Sequence, residues 1–267
     1  MDLGLSGKAA LITGGSRGLG RAAALTLADE GCNVAIAART PETLEAAAAE
    51  IADKKARAHA TQIDVPVPED IVRMVESVKQ TFGRLDALVA NAGGSQGGGL
   101  LEATDADWHA TLDINLMHAV RTVRAAVPIM RDSGGGSVVI ISSISGITAS
   151  VPAQYGVAKA AEIFLARCLS LELAQYNIRV NCVAPGSIMF EGGGWGRRAV
   201  EMPEVMHEFA NSQFPYKRLG TAREVADAVA FLCSPRSSWI VGTTLSVDGA
   251  QQGAGLWSVS EMPGPSV

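Results

Sequence analysis

The chain has 267 residues, of which 48% are hydrophobic and 18% charged, and a formal net charge of −5. That composition supports a full core in one α/β domain, and its acidic balance argues against nucleic-acid binding, which needs a basic face. No apolar run reaches bilayer-spanning length, and the start, with Asp2 among glycines, lacks the features of a secretion signal, so a cytoplasmic protein with no membrane contact is expected.

In chain order the sequence predicts strands over 8–13, 33–38, 58–63, 85–90, 137–142, 179–183 and 244–247. Helices are predicted between them over 18–30, 41–54, 68–82, 105–131, 153–176 and 222–233. The strands are near-continuously apolar, which marks a parallel sheet covered on both faces. Right-handed βαβ units then give an α/β fold, a doubly wound parallel sheet of about seven strands, with ligands outside the strands' carboxyl ends. Residues 1–252 form one domain, and 253–267 form a tail in which Leu256 and Trp257 are candidates to dock across a subunit boundary.

Between the first strand and helix lies Thr13-Gly14-Gly15-Ser16-Arg17-Gly18-Leu19-Gly20. Gly14 permits a tight turn, Gly18 lets a phosphate approach the backbone, and Gly20 allows close helix–strand packing. Phosphates would sit against the unpaired N–H groups of the helix N-terminus. The spacing is Gly-x-x-x-Gly-x-Gly rather than the Gly-x-Gly-x-x-Gly of other dinucleotide binders. At the end of the second strand Ala38 stands where an NAD binder places an acidic residue. Arg39, with Arg17 opposite, could instead pair with a 2′-phosphate, which favours NADP(H) over NAD(H).

Tyr155 and Lys159 lie four residues apart, on one face of a predicted helix. A phenol titrates near pH ~10 in water, and a neighbouring ammonium favours its phenolate, bringing it into range for general acid or base work. Four histidines, at positions 59, 109, 118 and 207, give no metal-ligand spacing, so no metal is assigned. Cys32, Cys168, Cys182 and Cys233 show no paired spacing and read as free thiols of a reducing compartment.

With these motifs in this order, the chain resembles the short-chain dehydrogenase/reductase family from about residue 5 to residue 250. Further matches are Asn91-Ala92-Gly93 after the fourth strand, Asn115 in the long helix, Ser142-Ser143-Ile144-Ser145-Gly146 closing the fifth strand, and Pro185-Gly186 after the sixth. The resemblance implies a Rossmann fold and reversible hydride transfer between nicotinamide and a carbonyl or secondary alcohol, as in 3-oxoacyl-carrier-protein reductases and related ketoreductases. It implies Tyr155 as proton donor and Lys159 as the group that lowers the phenol pKa and holds the ribose hydroxyls. A serine binds the substrate oxygen, and Asn115 holds a water linking Lys159 to solvent. Cofactor contacts carried over are Gly14, Ser16, Arg17, Gly18, Leu19, Gly20, Arg39, Asp64, Val65, Asn91, Ala92, Gly93, Pro185, Gly186 and Ile188, with Tyr155 and Lys159. For Asp64, helix capping is the alternative.

Two departures stand out. Ser143 fits the family's Ser-x-x-Gly pattern but lies twelve residues before Tyr155, whereas Ser142 lies at the commoner thirteen. Ser143 is preferred, because the glycine fixes the turn locally and the following loop can lose a residue. Phe190 occupies the place of a threonine that often binds the carboxamide, leaving that role to the Ile188 backbone with Ser187 as helper. Met189, Phe190 and Trp195 could cap an apolar substrate or anchor a lid to the core, and Gln96 could offer the substrate a hydrogen bond. The substrate is a small carbonyl or alcohol, with a carrier-bound thioester among the options. The resemblance also implies a homotetramer, pairing the 105–131 and 153–176 helices, where small residues such as Ala160, Ala161 and Ala166 suit close packing between helices and equally suit packing against the sheet. Two other functions remain open: a catalytically silent NADP(H) sensor or scaffold, and an NAD-dependent dehydrogenase of a cyclic or steroid-like alcohol.

Overall fold

A computed structural model describes residues 2–54 and 56–253. The strands are β1 (Ala9–Thr13), β2 (Asn33–Ala38), β3 (Ala58–Gln62), β4 (Ala87–Ala90), β5 (Gly136–Ile141), β6 (Ile178–Pro185), the short β7 (Ile188–Met189) and β8 (Gly220–Thr221), and β9 (Thr244–Val247). The helices are α1 (Gly18–Asp29), α2 (Pro41–Asp53), α3 (Pro68–Phe82), α4 (Asp105–Leu112), α5 (His118–Asp132), α6 (Ala153–Leu173), α7 (Gly194–Glu201), α8 (Pro203–Gln213) and α9 (Ala222–Cys233). Seven strands form one sheet in the order β3-β2-β1-β4-β5-β6-β9, with every ladder parallel. This is the doubly wound Rossmann arrangement.

Alternation along each apolar strand divides the interior into two cores. Ala10 and Ile12 of β1 join Val34, Ile36, Val89 and Val139 beneath α1, α2 and α9. Leu11, one residue away, joins Ala35, Leu88 and Val138 beneath α3, α5 and α6. Burying a Val, Leu or Ile side chain contributes about 1.5–3 kcal/mol, so both faces hold the sheet. Neighbour order reverses between β1 and β4, which opens a crevice at their carboxyl ends.

Three features differ from the sequence expectation, and the alanines of the long helix divide between its two alternatives. The 105–131 helix is interrupted: α4 and α5 are joined by a π-helical turn, Asp113–Met117. The 153–176 helix ends at Leu173 and tightens into a 3₁₀ turn over Ala174–Tyr176. An unpredicted unit, α7 and α8 with the β7–β8 pair, lies beyond β6 and has its own small core of Met206, Ala210, Phe214 and Leu219. Ala166 is wholly buried in the sheet-side core, while Ala160 is exposed. The outer face of α6 instead presents Val157, Phe164 and Leu171, which are 50%, 66% and 83% exposed. Leu256 and Trp257 lie outside the described residues. Among the described residues no helix is long and apolar enough to cross a membrane.

Candidate active site

The glycine loop is locked from below. A β-carbon on Gly20 would lie 2.3 Å from the Gly14 carbonyl oxygen, so only glycine lets α1 approach this closely. The Asn91 side chain clamps the loop, its Nδ2 donating to the carbonyls of Thr13 at 2.9 Å and Gly14 at 3.2 Å. Thr13 Oγ1 accepts from the backbone N–H of Asn91 (2.9 Å) and of Ala92 (3.2 Å). With both lone pairs taken, its proton goes to His118 Nε2 at 2.9 Å, so His118 carries its own proton on Nδ1 and donates it to the Asn115 carbonyl at 3.0 Å. Burial, with the charges of Lys159 and Arg121, outweighs that hydrogen bond and lowers the His118 pKa to about 4. It is a neutral strut between β1 and α5.

Asn115 sits in the middle of the π turn, a local geometry that often marks functional positions. Its Nδ2 donates to the carbonyls of Gly94 and Thr111, each at 2.7 Å, and its Oδ1 accepts from Gly94 N–H at 3.3 Å. A β-carbon on Gly93 would come 2.6 Å from Asn115 Oδ1 and 3.2 Å from Lys159 Nζ, which explains the glycine. Lys159 is buried. Its Nζ donates to the Ile141 carbonyl at 3.0 Å and to Glu162 Oε2 at 2.9 Å, and lies 5.7 Å from the centre of the Tyr155 ring. Burial works against the charge, but Glu162 and Tyr155 more than offset it and hold the lysine above its ordinary range.

The two serines are used differently. Ser142 Oγ is buried and donates to the Lys159 carbonyl at 2.7 Å. Ser143 Oγ accepts from Ser145 N–H at 3.1 Å and caps a short 3₁₀ turn, which leaves its own proton free. Ser142 belongs to the cleft wall and Ser143 does not, so the preference for Ser143 rests on its free donor.

One cleft of about 700 Å³ gathers most of the expected cofactor residues: Gly14, Ser16, Arg17, Gly18, Leu19, Arg39, Val65, Asn91, Ala92 and Gly93, with Tyr155 and Lys159. Asp64 lines an adjoining hollow with Arg39. Its Oδ1 is buried without a hydrogen-bond partner among the described residues, and α3 starts at Pro68 with Val67 at the cap, so Asp64 is not the helix cap. That orphaned acceptor fits an amino donor such as adenine carries, and the open glycine loop fits a pyrophosphate. Arg17 and Arg39 make no ion pair among the described residues, which suits a further phosphate.

Several expected contacts fall elsewhere. Pro185, Gly186 and Ile188 do not line the cleft; Ile188 is buried in β7 against the core. Trp195 stacks on Phe209 at 4.9 Å and 16° and packs against the small core of the α7–α8 unit, outside the cleft wall. Gln96 is held by its main chain, donating to Thr111 Oγ1 and accepting from Gln154 Nε2, and its residue does not line the cleft. Phe190 does line it, packed so tightly that a β-carbon on Gly18 would meet its ring at 2.8 Å. Residues the sequence reading passed over are Thr40, Thr43 and Arg197 on the cleft wall, and Glu162 behind Lys159. The glycine run at 192–194 was the available signal for Arg197.

Residues 14–250 match a family model described as enoyl-(acyl carrier protein) reductase. The chain is 38% identical to an uncharacterized oxidoreductase of Mycobacterium tuberculosis, over 92% of each chain. It is 35% identical to the 3-oxoacyl-[acyl-carrier-protein] reductase of Thermotoga maritima, over 92% of this chain and 98% of that one. The L-sorbose reductase of Gluconobacter frateurii, solved with NADPH and L-sorbose, superposes with a TM-score of 0.89 at 36% identity, over 93% of this chain and 98% of that one. The fold, the ordered motifs and these relatives together make the chain a member of the short-chain dehydrogenase/reductase family of oxidoreductases.

Proposed function

We propose that this protein is an NADP(H)-dependent oxidoreductase that moves hydride between nicotinamide and a carbonyl or secondary-alcohol carbon. The observation that carries this reading is the Tyr155 ring, 5.7 Å from the Lys159 ammonium, on the wall of the cleft that the glycine loop opens. Bound there, the cofactor supplies the hydride donor or acceptor. Tyr155 gives its proton to the oxygen of the forming alcohol and takes it back in the oxidative direction. Lys159 favours the phenolate left behind. Ser143 turns its free proton to the same oxygen as charge develops there. Asn115 Oδ1 keeps one lone pair for a water linking Lys159 to solvent. The glycine loop and Asn91 to Gly93 would hold the dinucleotide, and Asp64 would accept from its adenine. Arg17 and Arg39, with no acidic residue at Ala38, favour the 2′-phosphate.

The substrate is a small carbonyl or alcohol. The 3-oxoacyl and ketose reductases among the relatives make β-keto thioesters and sugars the first classes to try. The unit that does this is residues 1–252, and the same reading makes it a cytoplasmic homotetramer. Four free cysteines suit a reducing compartment. The apolar stripe on α6, and Leu245 on the sheet-edge strand β9, are faces a neighbouring subunit would cover.

The test is oxidation of NADPH against NADH by the purified protein, over β-keto thioesters, ketoses, cyclic ketones and aldehydes. Turnover with NADPH preferred supports the proposal. Preference for NADH would overturn the cofactor reading, and tight NADPH binding without turnover across the panel would favour a sensor.

A further inference from the structure

Glu162 lies one helical turn beyond Lys159, and its side chain is 1% exposed. A charge on an amphipathic helix ordinarily faces water; this one points into the protein. Both carboxylate oxygens receive hydrogen bonds from Lys159 Nζ, at 2.9 and 3.3 Å, and have no other donor among the described residues. A third acceptor, the Ile141 carbonyl, binds the same ammonium at 3.0 Å. An ammonium has three donors, and these three acceptors can take all of them. Burying two charges costs their hydration before their attraction repays it, and a well-packed apolar residue would serve stability as well.

We propose that Glu162 is a positioning residue for Lys159, its carboxylate drawing the ammonium back from the cleft and cancelling part of the charge it presents there. The inference rests on the reading of Lys159 as the lysine that faces the cofactor and Tyr155. The other titratable groups facing the pair are Tyr155 on α6, Cys182 on β6 and His118 on α5. Burial, with the Glu162 charge, pushes the Cys182 thiol up to about 12, and burial brings His118 down to about 4, so neither changes charge near neutrality. Burial lifts the Glu162 carboxyl to about 7 against the pull of Lys159. Below that pH the protonated acid leaves the ammonium its full charge toward the cleft; above it, the carboxylate retracts and offsets that charge. NADPH affinity and the reduction rate therefore fall as pH rises through about 7. From the distances to Lys159 Nζ, Glu162 lies within about 9 Å of the Tyr155 ring. One unit charge over that span, at an effective dielectric of ~20, changes an equilibrium by at most roughly twentyfold.

The experiment measures NADPH affinity by nicotinamide fluorescence, and then ketone reduction, from about pH 6 to about pH 8. It compares the wild type with Glu162→Gln, Glu162→Leu and Lys159→Met, each first checked for folding by thermal unfolding. Glutamine keeps an oxygen to hold Lys159 but cannot ionise. The expected result is a wild-type affinity that falls roughly threefold to tenfold more across the range than that of Glu162→Gln. Lys159→Met and Glu162→Leu, which have lost the ammonium and the carboxylate respectively, also lack the extra fall. The cofactor's own phosphate titrates in all four proteins and cancels in the comparison. A Glu162→Gln profile that tracks the wild type would overturn the inference, whatever Glu162→Leu does. If the binding difference appears and no ketone is reduced, the enzyme reading fails and the Glu162 assignment stands. Turnover without the difference gives the reverse.

Discussion

Replacing His118 with leucine removes the titratable group at the centre of the Thr13–His118–Asn115 network. At pH 7 the neutral imidazole accepts one hydrogen bond and donates another. The variant loses both, at about 1 kcal/mol each, and leaves the Thr13 hydroxyl without its acceptor. The wild type is therefore about 2–3 kcal/mol the more stable near neutrality. In the folded protein the His118 pKa lies at about 4, against 6.5 in the unfolded chain. Between those values the unfolded chain binds the extra proton, so the stability present above about 6.5 is lost as the pH falls toward about 4. The gap between the two values is worth roughly 3 kcal/mol. Every other titrating group, Glu162 included, is common to the two proteins and cancels. Urea unfolding at fixed protein concentration, over a series of pH values, should show the wild-type advantage shrinking with acid and vanishing near pH 4. A difference that stays constant with pH would refute the buried neutral imidazole.

Ser143→Ala should lower kcat by ~10²–10³ if its free hydroxyl faces the substrate oxygen. Ser142→Ala should cost about 1 kcal/mol of stability through the lost bond to Lys159 and leave turnover within a small factor. The reverse pattern in the two kinetic profiles would put the serine register at Ser142. Arg39→Ala should weaken NADPH binding roughly tenfold to a hundredfold and leave NADH nearly unchanged, by fluorescence titration; equal losses for both would remove the 2′-phosphate role. Trp195→Ala should speed proteolysis within the 190–214 lid without moving the main unfolding transition, because its ring belongs to the lid's own core.

What the sequence made legible follows from the kind of signal each part carries. Short apolar runs such as Ala9–Thr13 and Asn33–Ala38, bounded by glycine-containing turns, read as buried strands, and their alternation with helices gives the doubly wound class; the strand order comes from the structure. The glycine loop and Asn91 to Gly93 were readable because close backbone approach demands glycine. The π turn at Asn115 was not, since a single five-residue turn inside a long helix is too short for side-chain periodicity to distinguish. The lid helices escaped because α7 is short and glycine-rich, buries no residue fully, and packs mainly on its neighbour. Glu162 was hidden by the general rule that charges on helices face water, and only its partner reveals why this one does not. Asp64 could be read as cap or ligand from sequence. The observed cap at Val67 and the unpartnered Oδ1 decide against the cap.

The central claim is that Tyr155, beside Lys159, is the proton donor of an NADPH-dependent reduction. Tyr155→Phe removes one hydroxyl from a half-buried ring and leaves the glycine loop and the arginines in place. On whichever carbonyl substrate the wild type reduces, the variant should bind NADPH within about twofold of the wild type and lose ~10²–10⁴ in kcat. A Tyr155→Phe protein that reduces the same substrate at the wild-type rate would contradict the account.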